Sequence, residues 1–119
     1  MPDDVPSIDD GPLSALESEP GGHDTLVELV ALFAADMPRR LRELRRALAA
    51  RDGQQATRWA HSIKGGAATM GATRLALLAE QVEHARASIE TGATSEFAMT
   101  ELDAEFVRAR DAFLRRAER

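Results

Sequence analysis

The chain contains no cysteine, so disulfides and thiolate metal sites are excluded and the redox compartment is left undefined. Tyrosine is also absent and tryptophan occurs once. Val, Ile and Thr are sparse and never alternate over the length of a strand, which argues against a sheet. No apolar run approaches the roughly 20 residues that a membrane-spanning helix needs. The first residues, Met1 to Asp10, are acidic and proline-containing rather than basic and then apolar. A secretory leader is therefore not expected, and the default location is cytoplasmic. Lysine is nearly missing as well: of 15 basic residues, all but Lys64 are arginine.

What is present fits one domain of 119 residues, long enough to bury a core unaided. The net charge of −5 is unevenly placed. Seven of the 20 acids lie in residues 1–24, which carry no Lys or Arg, while the rest of the chain holds 13 acids against 15 bases. The lead reads as an acidic flexible tail over residues 1–7, followed by a domain over 8–119. A body this close to neutral has little electrostatic drive toward nucleic acid.

Ala and Leu are abundant, and the apolar residues recur at helical spacing. Asp10 to Glu17 reads as a short helix showing Leu13 and Leu16, broken by Pro20, Gly21 and Gly22. Asp24 is placed to cap a first long helix whose apolar stripe is Leu26, Val30, Phe33, Met37, Leu41, Leu44 and Leu48. The stripe keeps its phase across Pro38, so one kinked helix is expected rather than two. Arg51-Asp52-Gly53 forms a turn. A second long helix runs from about Gln54 to Thr69 with Ala56, Trp59, Ala60, Ile63, Ala67 and Met70 inward, and Gly71 stops it. A third runs from about Ala72 to Ile89 with Leu75, Leu78, Val82, Ala85 and Ile89 inward, and Gly92 ends it. Ser95 can cap a fourth that buries Met99, Leu102, Phe106, Ala109, Phe113 and Ala117. The expected fold is all-α: an antiparallel up-down-up-down four-helix bundle with a short extra N-terminal helix.

The second long helix carries the chemistry. His61 is two residues before the inward Ile63, about 200° away around the helix, and so faces outward. Lys64, Gly65 and Ala68 follow on the same face. Gly65 and Gly66 lie mid-helix, where each costs about 1 kcal/mol relative to Ala. Stability would not choose them, but a bare backbone lets another protein approach an exposed imidazole. Imidazole titrates near pH 6.5 in its free form, so much of it is neutral and nucleophilic at about pH 7. It can take a group covalently and give it up again. Lys64 would balance a dianion on the ring, and a carboxylate from the third helix, Glu80 or Glu83, would fix the tautomer. Taken singly, each of these residues reads as ordinary solvated surface, and the Gly pair as a close-packing device. The same holds for His84, for His23 in its loop, and for Arg39, Arg40, Arg42, Arg45 and Arg46, which form the wet face of the first helix or help dock an acidic partner. The combination His-x-x-Lys-Gly-Gly on a face outside the core carries the signal.

The stretch His61-Ser62-Ile63-Lys64-Gly65-Gly66-Ala67-Ala68-Thr69-Met70-Gly71-Ala72 resembles the signature of histidine phosphotransfer (HPt) domains. His61 to Ala67 is especially similar to the phosphotransfer domain of chemotaxis histidine kinases. The likeness extends to Ile8-Asp9 with Leu13 and Leu16, which resembles the family's short leading helix, and to residues 26–48, which resemble its first long helix, Pro38 included. The resemblance implies that His61 is phosphorylated, on its outer ring nitrogen. It implies that Lys64 balances the phosphoryl charge and that Gly65, with Gly66, Ala68 and Arg58, meets the partner. Glu83 stands where several members place the Glu or Gln that bonds the ring. Glu80 stands where chemotaxis kinases often have a second His, so a ring-to-ring network would be altered.

The implied reaction is a two-way relay: a phospho-Asp receiver domain, or a hybrid histidine kinase bearing one, passes its phosphoryl group to His61, and a response-regulator receiver Asp later takes it. The chain itself would hold no cofactor and no metal, Mg²⁺ being carried by the receiver, and would act as a monomer. No P-loop or kinase signature is present, so self-phosphorylation is not expected. Three rivals stay open: direct phosphorylation by an ATP-binding kinase domain, receiver docking without chemistry, and a metal-binding bundle using His61, Glu80 and Glu83.

Overall fold

The computed structural model describes residues 5–94 and 96–119. Among them, all regular structure is helical: α1 Gly11–Glu17, α2 Gly22–Ala49, α3 Gly53–Met70, α4 Thr73–Glu83, α5 Arg86–Glu90 and α6 Glu96–Ala117. No described helix is long and apolar enough to cross a membrane.

The inward stripe of α2 is buried from Leu26 through Leu44, and the helix is unbroken at Pro38. Leu48 is only partly buried, and Ala47 takes the core position in the last turn. The start of α2 differs from expectation. It begins at Gly22, with Gly21 left-handed at φ 72° and no side-chain cap. A Cβ on Gly22 would fall 1.9 Å from the Leu16 carbonyl oxygen. The close crossing of α1 thus fixes the entry. Asp24 lies in the first turn, where a negative charge meets the positive end of the helix. His23, expected in a loop, is in that same turn, with Nδ1 3.7 Å from Glu17 Oε2.

α3 is framed by two local signals. Asp52 caps it by accepting the Gln55 backbone N–H at 3.1 Å, and Gly71 ends it in the left-handed conformation at φ 86°. Ala56, Ala60, Ile63 and Ala67 are fully buried. Trp59 sits on the shoulder of the core, with the Arg39 guanidinium 5.5 Å from its ring centre.

The single third helix expected over 72–89 is two. α4 ends at Glu83, and α5 starts at Arg86 after a break at His84–Ala85. Ala85 has φ −109° and ψ 30°, and its N–H bonds the Val82 carbonyl at 3.1 Å, a tightened last turn. Ala85 is accordingly half-exposed instead of core. The bend seats α5 on the bare start of α3, where a Cβ on Gly53 would lie 2.8 Å from Glu90 Cγ. Ile89 remains buried.

α6 buries Met99, Leu102, Phe106, Ala109 and Phe113, while Ala117 is only partly covered. The proposed Ser95 cap lies outside the described residues. Phe33 joins α2 to α6 through ring contacts with Phe106 and Phe113 at 5.5 and 5.2 Å. α3 packs on α2 and α4, and α6 packs on the same two, so these four enclose one core.

Among the described core residues, one is charged. Glu105 is 3% exposed, accepts from Ser7 Oγ at 2.8 Å, pairs with Arg108, and has Arg74 at 3.9 Å. Burial of a carboxylate is tolerated because it is bonded and paired. The N-terminal segment is tied down at this end: the Thr73 hydroxyl donates to Pro6 O at 2.7 Å and Asp9 N–H to Gly71 O at 2.8 Å. Arg116 bonds Asp10, Ser14 and Glu17. Pro6 and Ser7, which the sequence places in the tail, are therefore attached to the bundle.

Candidate functional site

His61 stands on the outward face of α3 with its side chain 69% exposed. Because α3 lies between α2 and α4, the ring has two different flanks.

On the α4 flank, Glu83 closes a network. It is the last residue of α4 and its side chain is 15% exposed. Its Oε2 is 2.6 Å from His61 Nδ1, and its Oε1 is 2.7 Å from Lys64 Nζ. The Lys64 hydrogen bond, with help from His61, holds the Glu83 carboxyl below its ordinary 4.5 although partial desolvation pushes the other way. The Glu83 hydrogen bond in turn raises Lys64 above its ordinary value, Glu80 adding a weaker charge effect. An ionised carboxylate only accepts hydrogen bonds. Nδ1 of a neutral His61 must therefore carry the proton and donate it, and Nε2 keeps the lone pair. Lys64, which the sequence placed beside the ring to balance a dianion on it, has its ammonium on the carboxylate that orients the ring.

The α2 flank is an open groove of about 630 Å³, lined by His61, Gly65, Arg40 and apolar side chains including Phe33 and Met37. Leu32, on its rim, is 63% exposed. The two glycines differ here. Nothing lies within 4 Å of where a Gly65 Cβ would stand, so that position is open. A Cβ on Gly66 would come 2.8 Å from Arg40 Nη1 and 3.2 Å from Met37 Cε. Arg40 Nη1 donates to the Ser62 carbonyl at 2.8 Å and Nε to Asp36 at 2.6 Å.

Of the remaining candidates, Ala68 and Arg58 are exposed on the His61 face, and Arg58 has no hydrogen bond or ion pair among the described residues. Glu80 and His84 are exposed. Arg39 and Arg40 share Asp36, Arg45 pairs with Glu96 and Asp103, and Arg46 with Glu43. Among the described residues, no three His, Asp or Glu gather as a metal site. The placement of Arg40 in the groove was missed. Its signal was available: it lies seven residues from Phe33 and three from Met37, at the edge of the buried stripe, with Asp36 one turn before it.

The Hpt domain family model matches residues 28–112, from the first turns of α2 to near the end of α6. The chain belongs to the Hpt domain family. The crystal structure of histidine-containing phosphotransfer protein B (HptB) from Pseudomonas aeruginosa PAO1 is similar to it over 96% of each chain, with 31% sequence identity and a TM-score of 0.76. No curated protein matches the chain. Hpt domains are histidine phosphotransfer modules of phosphorelays without kinase activity of their own, and they work with kinases and receiver domains. Among the described residues of this Hpt domain, the exposed imidazole of His61 meets one hydrogen-bonding partner, Glu83.

Proposed function

We propose that this Hpt domain carries a phosphoryl group on Nε2 of His61, taken from a phospho-Asp receiver domain and passed to a receiver of a response regulator. The observation that carries the reading is the 2.6 Å contact between His61 Nδ1 and Glu83, with Lys64 on the other carboxylate oxygen. In the transfer step the Nε2 lone pair attacks phosphorus in line. The N–P bond forms as the P–O bond of the acyl phosphate breaks, and the electron pair leaves on the partner's carboxylate. No proton has to move, because Nδ1–H stays on Glu83, whose negative charge stabilises the positive charge that develops on the ring. Lys64 keeps Glu83 ionised, and so acts on the ring through it. Gly65, Ala68 and Arg58 form the surface that the receiver meets. The divalent cation of the reaction belongs to the partner. The four long helices are read as an antiparallel up-down-up-down bundle, in keeping with the short connections on either side of α3.

The test is to mix the protein with labelled phospho-receivers beside His61→Ala. Acid-labile, base-stable label on the wild type alone is the expected result. Label that appears only after an ATP-fuelled kinase domain is added would favour direct phosphorylation, as in chemotaxis kinases. Binding without label from any source would reduce the domain to a docking module.

A further inference from the structure

Arg40 is the one charged residue of the groove whose hydrogen-bonding capacity is mostly unused. A guanidinium has five N–H donors in a rigid fork. Two of them are engaged, Nε on Asp36 and one on Nη1 with the Ser62 carbonyl. The other three, one on Nη1 and both on Nη2, meet no acceptor among the described residues. The side chain is 27% exposed and lines the same groove as His61. It is also held in place from both sides: Asp36 grips it from α2, and the carbonyl next to His61 grips it from α3. Gly66 leaves the room it occupies. A staple between two helices would need only the two engaged donors. An arginine pre-positioned with a bare edge in an open groove has the form of an anion receptor whose ordering cost is met before the anion arrives.

We infer that Arg40 receives an anionic oxygen of the phosphorylated receiver domain as it docks, and so helps determine which receivers this domain accepts. This rests on the transfer reading for His61 and adds a residue to it on the α2 flank, opposite the Glu83–Lys64 network. The anionic oxygen belongs either to the phosphoryl group or to a carboxylate of the receiver. Asp36 is shared by Arg39 and Arg40, so this trio keeps one net positive charge. Gly66 then has a different purpose from Gly65: it seats Arg40, whereas Gly65 leaves the partner's path clear.

The experiment compares wild type, Arg40→Ala, Arg40→Lys, Gly66→Ala and the control Arg42→Ala in transfer from one phospho-receiver, with KM and kcat taken at several salt concentrations. Arg40→Ala should raise KM about tenfold, change kcat less, and flatten the salt dependence, without a matching fall in Tm. Arg40→Lys should restore the salt dependence in part. Gly66→Ala should move KM in the same direction, since its Cβ displaces the guanidinium, while Arg42→Ala should change nothing. Binding of the unphosphorylated receiver separates the sources: equal weakening by Arg40→Ala in both receiver forms assigns a carboxylate, and weakening of the phosphorylated form alone assigns the phosphoryl group. Wild-type KM and salt dependence in Arg40→Ala, with His61→Ala still unlabelled, would leave the transfer reading standing and overturn the inference. If the wild type binds receivers but takes no label, the transfer reading fails. The Kd of Arg40→Ala then decides alone, and a value equal to that of the wild type overturns the inference.

Discussion

The two flanks of His61 are built from different kinds of residue and do opposite things. Toward α4, three charged or polar side chains close on one another: His61 on Glu83 at 2.6 Å, Lys64 on Glu83 at 2.7 Å, with both carboxylate oxygens used. Toward α2 the surface stays open: an apolar groove, an exposed Leu32, an empty place over Gly65, and an arginine with bare donors. The closed flank fixes what the imidazole is, by choosing its tautomer. The open flank fixes what it can meet. Chemistry that needs a defined proton position is placed where charged groups close on one another. Recognition is placed where the surface stays open.

Substitutions can break this division. The largest effect belongs to the residue shared by both flanks: His61→Ala should abolish labelling and leave Tm within a few degrees of wild type, since the ring is mostly exposed and contributes little to the core. Next is the closed flank. Glu83→Gln should slow transfer by about 10- to 100-fold with little change in receiver affinity, measured as kcat against KM, because an amide no longer enforces a proton on Nδ1. If affinity fell instead and kcat held, the flanks would not be separate. The same variant tests the electrostatics. Glu83 is held below its ordinary 4.5, so its contribution to stability is present above that pH and is lost as pH falls through the lower folded value. Acid unfolding monitored by circular dichroism should show the wild type losing, below pH 4.5, an increment that Glu83→Gln never had.

Effects on the open flank are smaller and fall on binding. Leu32→Asp should weaken receiver binding by about tenfold, near 1.4 kcal/mol, with the fold intact by thermal melting. Smallest in stability terms, Gly65→Ala should raise stability by about 0.5–1 kcal/mol through helix propensity, since its Cβ meets nothing, yet weaken docking. A Gly65→Ala variant that is stabilised and binds as before would remove the reason for a glycine at that position.

Much of this was legible in the chain, and the exceptions share a cause. The buried stripes of α2, α3 and α6 follow from spacing of three and four, and Gly71 and Asp52 mark the ends of α3 by local chemistry alone. For the partner of His61 the residues offered Glu80 and Glu83 alike, and the resemblance to the family pointed to Glu83, which is the one that meets the ring. The break at His84–Ala85 was not, since neither proline nor glycine marks it; it follows from how α5 seats on Gly53. Asp24 looked like a cap because a cap is a local signal, whereas the start of α2 is set by contact with α1. The burial of Glu105 depends on Ser7 and Arg74 from distant parts of the chain as well as on Arg108 one turn along, and local spacing carries no sign of it. Gly66 read as an opening for a partner, and only the packed α2–α3 pair shows that Arg40 fills that opening.

The account stands most directly on where the proton and the phosphorus sit on one ring. Nitrogen-15 NMR of histidine-labelled protein, before and after phosphorylation by a phospho-receiver, reads both. The expected spectrum has the proton of neutral His61 on Nδ1 in the free protein and phosphorus coupled to Nε2 afterwards. A proton on Nε2 in the free protein, or phosphorus on Nδ1 or on another residue, would contradict it.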